Sequence, residues 1–216
     1  LERTQEILFE LNHLVEQGRV PRVPVYLDSP LAIRITEVYQ RYPEFLKDEI
    51  RKIIKAGDDV FNFPGLVVTE GVDDSKHINE ILGAKVIIAG SGMMNGGRIL
   101  HHAKQYLPDA NSILLLVGYQ ANGTIGRALW EGASSVRIHD TDVAVRAEVR
   151  MISGFSGHKG SDDLVSFIRD ISENTQHVYC VMGETVSANH LAGRIRDEIG
   201  ISADAPTAGE DREIVL

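Results

Sequence analysis

The chain has 216 residues, of which 43% are hydrophobic and 25% are charged, and its formal net charge is −9. This composition is that of an ordinary globular protein and excludes an intrinsically disordered chain. No apolar run approaches the roughly 18 residues that a membrane-spanning helix needs, and the first residues form no secretory signal pattern. The acidic balance argues against non-specific binding to a polyanion, which needs clustered Lys and Arg, but it allows a locally basic groove.

Helical and strand patterns alternate along the chain. Apolar residues at helical spacing predict a helix over residues 1–17, and a short β-branched run predicts a strand over 23–27. Ser29-Pro30 opens a long predicted helix that runs to about Ala56, with Ser29 as its N-cap and a kink or break at Pro43. Further strands are predicted at 66–68, 85–89, 112–117 and 177–181, and further helices at 98–106, 126–131, 162–171 and 186–199.

Apolar strands that alternate with helices are typical of a parallel α/β sheet whose strands are buried on both faces. Two short β runs lie in the region between about 132 and 150, and the turn at Asp140-Thr141-Asp142 between them predicts a hairpin. A further strand is predicted around 147–152. We therefore place the boundary between two domains here, with one domain over residues 1–150 and a second over 151–216.

The chain has one cysteine, Cys180, in the apolar run 178–181. A lone cysteine forms no internal disulfide, so the sequence favours a reduced, cytoplasmic setting. Free cysteines in apolar runs are commonly buried small hydrophobes, and we expect Cys180 to be one rather than a nucleophile.

Two loops that follow predicted strands carry candidate anion-binding residues, because ligands of open α/β sheets bind at the carboxyl ends of the strands. In Asp28-Ser29-Pro30, Ser29 either only caps the helix or also marks a helix start whose N–H groups hold an anion. In the glycine-rich turn, residues 90–97, Ser91 and Gly92 either serve turn geometry alone or let backbone N–H groups approach a phosphate.

Histidines occur in two places where chemistry is conceivable. His101-His102 lies on a predicted helix, where adjacent side chains point about 100° apart, so we expect one core or rim histidine and one exposed histidine rather than metal ligands. His158 lies between glycines in a strand-end loop, where packing gives little reason for it. Its imidazole can bind an anion or transfer a proton near neutral pH.

The sequence contains no His-x-His-x-Asp-His cluster, no paired cysteines and no His-Glu-x-x-His motif. These are the patterns that bind zinc within one chain segment. The sequence therefore predicts no self-sufficient metal site.

Five stretches together resemble the β-CASP insert and the C-terminal return of the metallo-β-lactamase RNA-processing nucleases. They follow one another in the family's order: Arg3-Thr4-Gln5, Tyr26-Leu27-Asp28-Ser29-Pro30-Leu31-Ala32, Gly90-Ser91-Gly92-Met93-Met94, Gly118-Tyr119-Gln120 with Gly123-Thr124, and Ser153-Gly154-Phe155-Ser156-Gly157-His158. The resemblance covers nearly the whole chain. It implies a parallel-sheet β-CASP domain with helices on both faces over residues 1–150, and a return to the lactamase αββα fold over 151–216.

The resemblance also implies a function. Members of the family are zinc-dependent phosphodiesterases that cleave RNA, with single-stranded DNA as an alternative substrate, and two zinc ions activate the attacking water. By this resemblance His158 is the catalytic residue that faces the scissile phosphate. Ser156 and Gly157 cradle that phosphate, and Ser91 and Gly92 form a second anion-contacting turn. We also expect Ser29 to bind substrate phosphate, on the separate ground that it lies at a helix start.

The resemblance places most zinc ligands in an N-terminal lactamase half outside these 216 residues. We therefore expect the chain to hold no zinc by itself, to need that half as a partner, and to be inactive alone. The sequence also departs from the family, because Met182-Gly183-Glu184 stands where the family has a zinc-ligating His-Gly-Glu. A thioether is a poor zinc ligand beside imidazole and oxygen donors, which predicts a weakened metal site.

Two other interpretations stay open. The first is a non-catalytic module that binds RNA or a partner protein, which suits the missing ligands and Met182. The second is an unrelated α/β enzyme that binds a nucleotide at the glycine-rich turn. Without a lactamase half, apolar surface on residues 151–216 would be exposed, so self-association into a homodimer is a further expectation.

Overall fold

The structure, a computed structural model, describes residues 2–155 and 157–212. The chain forms two compact units, Leu1–Ser156 and Gly157–Leu216, which we call the first and the second unit. The predicted division into two domains at residue 150 stays a prediction, because the boundary of a compact unit need not be the boundary of a family domain. In the described part of the chain, every helix is too short or too polar to cross the hydrocarbon core of a membrane.

The first unit alternates helices and strands for most of its length. Its elements are α1 (Glu2–Glu16), β1 (Val25–Leu27), α2 (Pro30–Arg41), α3 (Asp48–Lys55), β2 (Leu66–Val68), α4 (Val72–His77), β3 (Val86–Ile88), α5 (Ile99–Tyr106), β4 (Ile113–Val117), α6 (Ile125–Trp130), β5 (Ser135–Ile138), β6 (Thr141–Ala144) and β7 (Glu148–Ile152). The helix predicted from Pro30 is interrupted at Pro43, as expected, because the proline ring excludes a regular helical turn before it.

Three strands of the first unit form a parallel sheet in the order β2-β1-β3. In the central strand, Val25 is aligned with Leu66 of β2 on one side and with Val86 of β3 on the other. The predicted parallel α/β organisation is therefore confirmed. Because the three strands run in one direction, their carboxyl ends lie side by side at one edge of the sheet.

The expectation that strands are buried on both faces is right for β1 and wrong for β2. All three residues of β1 are buried, whereas Val67 and Val68 of β2 are 42% and 48% exposed. The difference follows from their positions, since a strand at the edge of a narrow sheet has a neighbouring strand on one side only.

Two further strand pairs complete the first unit. β4 and β7 are parallel, with Ile113 aligned to Glu148, and β5 and β6 form the predicted antiparallel hairpin. The hairpin turn begins earlier than predicted, because Ile138 is aligned with Thr141 and leaves His139 and Asp140 as the two turn residues. His139 has a φ of 53°, the left-handed conformation that two-residue hairpin turns require.

Two apolar clusters stabilise the first unit. One surrounds β1 and packs Leu8 of α1 and Ile33 of α2 against it, together with Phe61. The other surrounds β4, where Leu116 packs with Leu129 of α6. Each fully buried side chain of this size contributes roughly 1.5–3 kcal/mol relative to an exposed one, and these contacts hold the loops at the strand ends in place.

The second unit contains α7 (Ser161–Asp170), β8 (His177–Tyr179), α8 (Thr185–Ile199) and β9 (Ser202–Asp204). β8 and β9 pair in parallel, and α8 is the segment of the chain that connects them. The core of the unit includes Cys180, Ala192 and Ile195. The sequence did not predict β9, because Ser202-Ala203-Asp204 lacks the apolar or alternating pattern of a strand.

Candidate functional site

The carboxyl edge of the central sheet brings together three loops that are far apart in the sequence. Asp28 and Ser29 follow β1, Thr69 follows β2, and the glycine-rich turn follows β3. Backbone hydrogen bonds continue past the strands, from Asp28 N to Ile88 O at 2.8 Å and from Thr69 N to Leu27 O at 3.1 Å. The two candidate anion-binding loops of the first unit are thus neighbours.

The carboxylate of Asp28 is the centre of this edge. Asp28 is completely buried and accepts hydrogen bonds from Thr69 Oγ1 at 2.8 Å, Ser75 Oγ at 2.6 Å and Arg98 Nη1 at 2.6 Å. The Nε2 atom of His102 lies 2.7 Å from its Oδ2 atom. A buried charge is tolerated when it is paired and hydrogen-bonded in this way.

These contacts decide the ionisation state of Asp28. Burial by itself raises the pKa of the carboxyl, but the hydrogen bonds from Ser75, His102, Thr69 and Arg98 outweigh it, and the pKa lies below its ordinary value of 3.8. Asp28 is therefore a carboxylate at neutral pH, and its charge is used inside the protein rather than offered to a ligand.

Arg98 ties the loops to one another. Besides its contact with Asp28, Nη1 donates to Thr69 O at 2.9 Å and Nη2 donates to Glu70 O at 2.6 Å. Arg98 follows the glycine-rich turn directly, so the loops after β1, β2 and β3 are joined through one guanidinium. The planar, five-donor shape of the arginine head group suits it to this bridging role.

The predicted burial of the histidine pair, with one core histidine and one exposed histidine, is confirmed. His102 is buried, with its Nδ1 atom 3.4 Å from Asn79 Oδ1, while His101 is exposed. His101 lies beside His139 of the hairpin, with ring centroids 5.9 Å apart.

Ser29 caps α2 as predicted. Its Oγ atom accepts from Ala32 N at 3.4 Å, and Pro30 occupies the first helical position. A hydroxyl that accepts one bond keeps its own O–H group. Ser29 also lies against the glycine-rich turn, since a Cβ atom built on Gly90 would be 3.7 Å from Ser29 Oγ.

The glycine-rich turn is closed by its own hydrogen bonds. Ser91 N donates to Gly96 O at 3.1 Å, and Ser91 Oγ accepts from Asn95 N at 3.0 Å. The Gly90-Ser91 peptide bond is cis. Because the Ser91 N–H is used within the turn, its hydroxyl hydrogen is the donor that Ser91 itself can offer to a ligand.

Gly97 is required for this closure. Its φ is +81°, and a Cβ atom at this position would be 2.4 Å from Gly90 O. Both the left-handed backbone and the close approach exclude a side chain. Gly92, by contrast, is exposed and has open space around a built Cβ atom.

The remaining predicted site residues belong to the second unit or lie outside the description. Gly157 and His158 form part of an exposed loop before α7. Ser156 lies outside the described residues. The structure thus brings Ser29 close to the turn that carries Ser91 and Gly92, and describes His158 and Gly157 as part of a separate unit.

Met182 lies in the turn between β8 and α8. Its side chain is fully exposed, and its φ is 66°. Within residues 2–155 and 157–212, no group of three or more His, Cys, Asp or Glu side chains is arranged to hold a metal ion. Cys180 is buried, as expected. Its burial raises the pKa of its thiol, and the nearby Asp204 carboxylate makes a smaller contribution in the same direction.

Sequence reasoning missed Asp28 and its partners Thr69, Ser75 and Arg98 as site-forming residues. A charged residue directly after the buried strand β1 was the available signal for Asp28. Thr69 and Ser75 carry no such signal, because single hydroxyl residues at strand and helix ends are common.

Comparison with known proteins identifies two families in the order that the motifs indicated. The model of the Beta-Casp domain matches residues 4–129, and that of the Zn-dependent metallo-hydrolase RNA specificity domain matches residues 142–206. The resemblance inferred from the motifs is therefore confirmed.

Named relatives agree with these families. Ribonuclease TTHA0252 of Thermus thermophilus is 41% identical over 169 residues, which are 78% of this chain and 39% of that protein. Transcription termination factor FttA is 32% identical over 213 residues in Thermococcus kodakarensis, covering 94% of this chain and 32% of the factor. In Methanosarcina mazei it is 29% identical over 211 residues, covering 95% and 33%.

The chain spans about a third of the length of these relatives. Its own match to the first family nevertheless extends over more than half of its 216 residues. The chain therefore belongs to the Beta-Casp domain family.

Proposed function

We propose that this chain is the nucleic-acid-binding part of a zinc-dependent phosphodiesterase that cleaves RNA. The observation that carries the proposal is the meeting of Ser29 with the glycine-rich turn at the carboxyl edge of a parallel sheet, in a chain of this family. The name of ribonuclease TTHA0252 and the description of the RNA specificity domain support RNA as the substrate and hydrolysis as the reaction. Residues 1–150 would form the β-CASP domain, and residues 151–216 part of the lactamase domain.

In this proposal the first unit holds phosphates of the substrate. Ser29 and Ser91 offer hydroxyl groups, and Gly92 leaves room for a phosphate to approach the backbone. Neutral donors suit a chain with a net charge of −9, since binding then depends on a few directed hydrogen bonds rather than on a large basic surface.

His158 has the catalytic role in this proposal. It is an exposed imidazole on a loop between glycines, and such a group can donate a hydrogen bond to a scissile phosphate or a proton to the leaving oxygen. The two residues that directly precede His158, Ser156 and Gly157, would bind the same phosphate.

The described residues do not fit a complete zinc site. They contain no cluster of three ligating side chains, and the exposed thioether of Met182 stands where the family has a histidine. Zinc ligands would come from a region of the longer protein that corresponds to the part of the relatives outside their match to this chain. We accordingly propose that the 216-residue chain alone does not cleave RNA.

A nuclease assay on the longer natural protein tests the proposal. The substrate is a labelled single-stranded RNA, supplied with zinc or manganese and compared with a chelator control and with single-stranded DNA. His158→Ala should abolish metal-dependent cleavage, while His190→Ala, which removes another exposed histidine of the second unit, should leave it unchanged. Cleavage that survives His158→Ala, or vigorous cleavage by the 216-residue chain, would contradict the proposal.

The second candidate is a non-catalytic module that binds RNA. The observation in its favour is the fully exposed Met182 at the family's zinc-ligand position. RNA binding by the longer protein without cleavage under any of the metal conditions would favour this candidate over the nuclease.

A further inference from the structure

Gln120 connects the loop after β4 to the glycine-rich turn. Its side chain is only 3% exposed, and Nε2 donates to Gly92 O at 3.0 Å and to Gly118 O at 3.1 Å. The amide thus clamps a carbonyl of the turn from the buried side.

A second hydrogen bond holds the next carbonyl. Gly126 N donates to Met93 O at 3.2 Å. The carbonyl group of Gly92 is therefore held by Gln120 in the loop after β4, and that of Met93 by Gly126 in the first turn of α6, which restrains the two peptide planes of the turn.

The clamp decides where the Met93 N–H points. In a trans peptide the N–H is antiparallel to the C=O of the preceding residue. Because Gly92 O accepts from the buried Gln120 amide, the Met93 N–H points away from that amide. Within residues 2–155 and 157–212 no backbone carbonyl accepts this N–H, whereas the next one, Met94 N, donates to Ser91 O at 3.0 Å.

The surroundings are shaped to keep the Gln120 amide. A Cβ atom at Gly126 would be 1.8 Å from Gln120 Oε1, so only glycine leaves space for the side chain. Gln120 Oε1 is itself buried and has no hydrogen-bond partner among the described residues. An orphaned buried oxygen lowers stability, which offsets part of what the two hydrogen bonds donated by Gln120 Nε2 contribute.

We propose that Gln120 is a positioning residue that directs the Met93 N–H toward a phosphate of a single-stranded nucleic acid bound at the glycine-rich turn. This inference rests on the proposed function, in which that turn binds phosphate. It adds a backbone donor to the Ser91 hydroxyl, and oriented backbone N–H groups are effective ligands for anions.

The test uses the 216-residue chain, a fluorescein-labelled oligouridine and anisotropy titration. Gln120→Met keeps the volume of the side chain and removes its donor. Affinity should fall about tenfold, the loss expected for one misdirected hydrogen bond to a charged group, whereas the melting temperature should fall only as far as in Gln5→Met, because each variant loses two donated hydrogen bonds. Gln5→Met is the matched control. Gln5 is an equally buried glutamine with an unpartnered Oε1, but it donates to Ala32 O and Thr36 Oγ1 in α2.

Gly126→Ala supplies a second variant, since its methyl group displaces the amide without altering Gln120. It should weaken binding as well, and the double variant Gln120→Ala/Gly126→Ala should bind as Gln120→Ala does, because the displaced group is absent. Independent, additive losses would overturn the proposal.

Amide chemical shifts of the unchanged chain distinguish a failure of the proposed phosphate site from a failure of the role proposed for Gln120. Oligouridine should shift the Met93 amide more than the Met94 amide, whose hydrogen is already bonded to Ser91 O. If no amide of the turn responds, the proposed phosphate site itself is wrong. If the turn responds but Met93 does not, or Gln120→Met binds as tightly as the unchanged chain, the phosphate site stands and the role of Gln120 is wrong.

Discussion

The Nη1 atom of Arg98 lies 2.6 Å from Oδ1 of Asp28, although 70 residues separate them in the sequence. Asp28 is buried at the carboxyl edge of the central sheet, and Arg98, whose side chain is 18% exposed, also holds the carbonyl groups of Thr69 and Glu70. Ser29 and the glycine-rich turn are the direct chain neighbours of this pair, so their placement depends on it.

Asp28→Asn should destabilise the chain by about 3 kcal/mol, because it removes the buried charge that Arg98 and the surrounding donors hold. Urea unfolding at pH 7 measures the change in the free energy of unfolding. Asp170→Asn, on the exposed face of α7, is the control and should stay within about 0.5 kcal/mol of the unchanged chain. Equal stability of the two variants would show that the Asp28 network does not hold the loops.

The effect of Asp28→Asn should depend on pH. Burial raises the pKa of Asp28, but its hydrogen bonds lower it further, so the folded-state pKa is below the unfolded value of 3.8. A lowered folded-state pKa contributes stability above pH 3.8 that is lost as the pH falls through the folded-state pKa. The difference between the unchanged chain and Asp28→Asn should therefore be constant from pH 5 to 7 and shrink below about pH 3.8. A difference that grows on acidification would contradict this assignment.

Gly97→Ala should destabilise the chain by roughly 2–4 kcal/mol, since alanine is strained at a φ of +81° and its Cβ would meet Gly90 O. Gly96→Ala is the matched control in the same turn, because a Cβ there has no atom within 4 Å. Thermal unfolding followed by circular dichroism compares the two variants. Similar melting temperatures would mean that the turn accommodates a side chain at Gly97 without loss of stability.

Substitutions of Ser29 separate its capping role from its proposed contact with phosphate. Ser29→Ala should lower stability by about 1 kcal/mol through loss of the N-cap bond to Ala32 N. Ser29→Asp keeps a capping oxygen, so stability should be retained, but its negative charge should weaken the binding of oligouridine. Unchanged RNA affinity in Ser29→Asp would restrict Ser29 to capping α2.

Met182→His should increase the zinc content of the longer natural protein after dialysis, measured by elemental analysis, if the family's histidine position is a metal ligand. The exposed site has room for an imidazole, and histidine is found at positive φ more often than most residues. Met182→Leu is the control and should leave zinc content unchanged. Equal zinc content in both variants would place this turn away from the metal.

Local features of the fold were readable from the sequence because they depend on nearby residues. Ser29 caps α2 and Pro43 interrupts the helix that follows, and both effects act within one helical turn. The alternation of strands and helices was readable for the same reason, since side-chain periodicity reports which face of each element is buried. The strand β9 escaped prediction because its pairing with β8, and not its composition, makes it extended.

The candidate site divides along the same line. From the sequence by itself, Ser29, Ser91, Gly92 and His158 are predicted as candidates, because each occupies a loop whose glycines, prolines or flanking strand are visible in the local pattern. Only the tertiary structure decided that Ser29 meets the glycine-rich turn, since this follows from the strand order β2-β1-β3. It also decided that the Asp28 carboxylate accepts hydrogen bonds from Arg98 and from buried hydroxyl groups, and that Gln120 donates to Gly92 O. Such contacts join residues dozens of positions apart, and no local preference of the backbone encodes them.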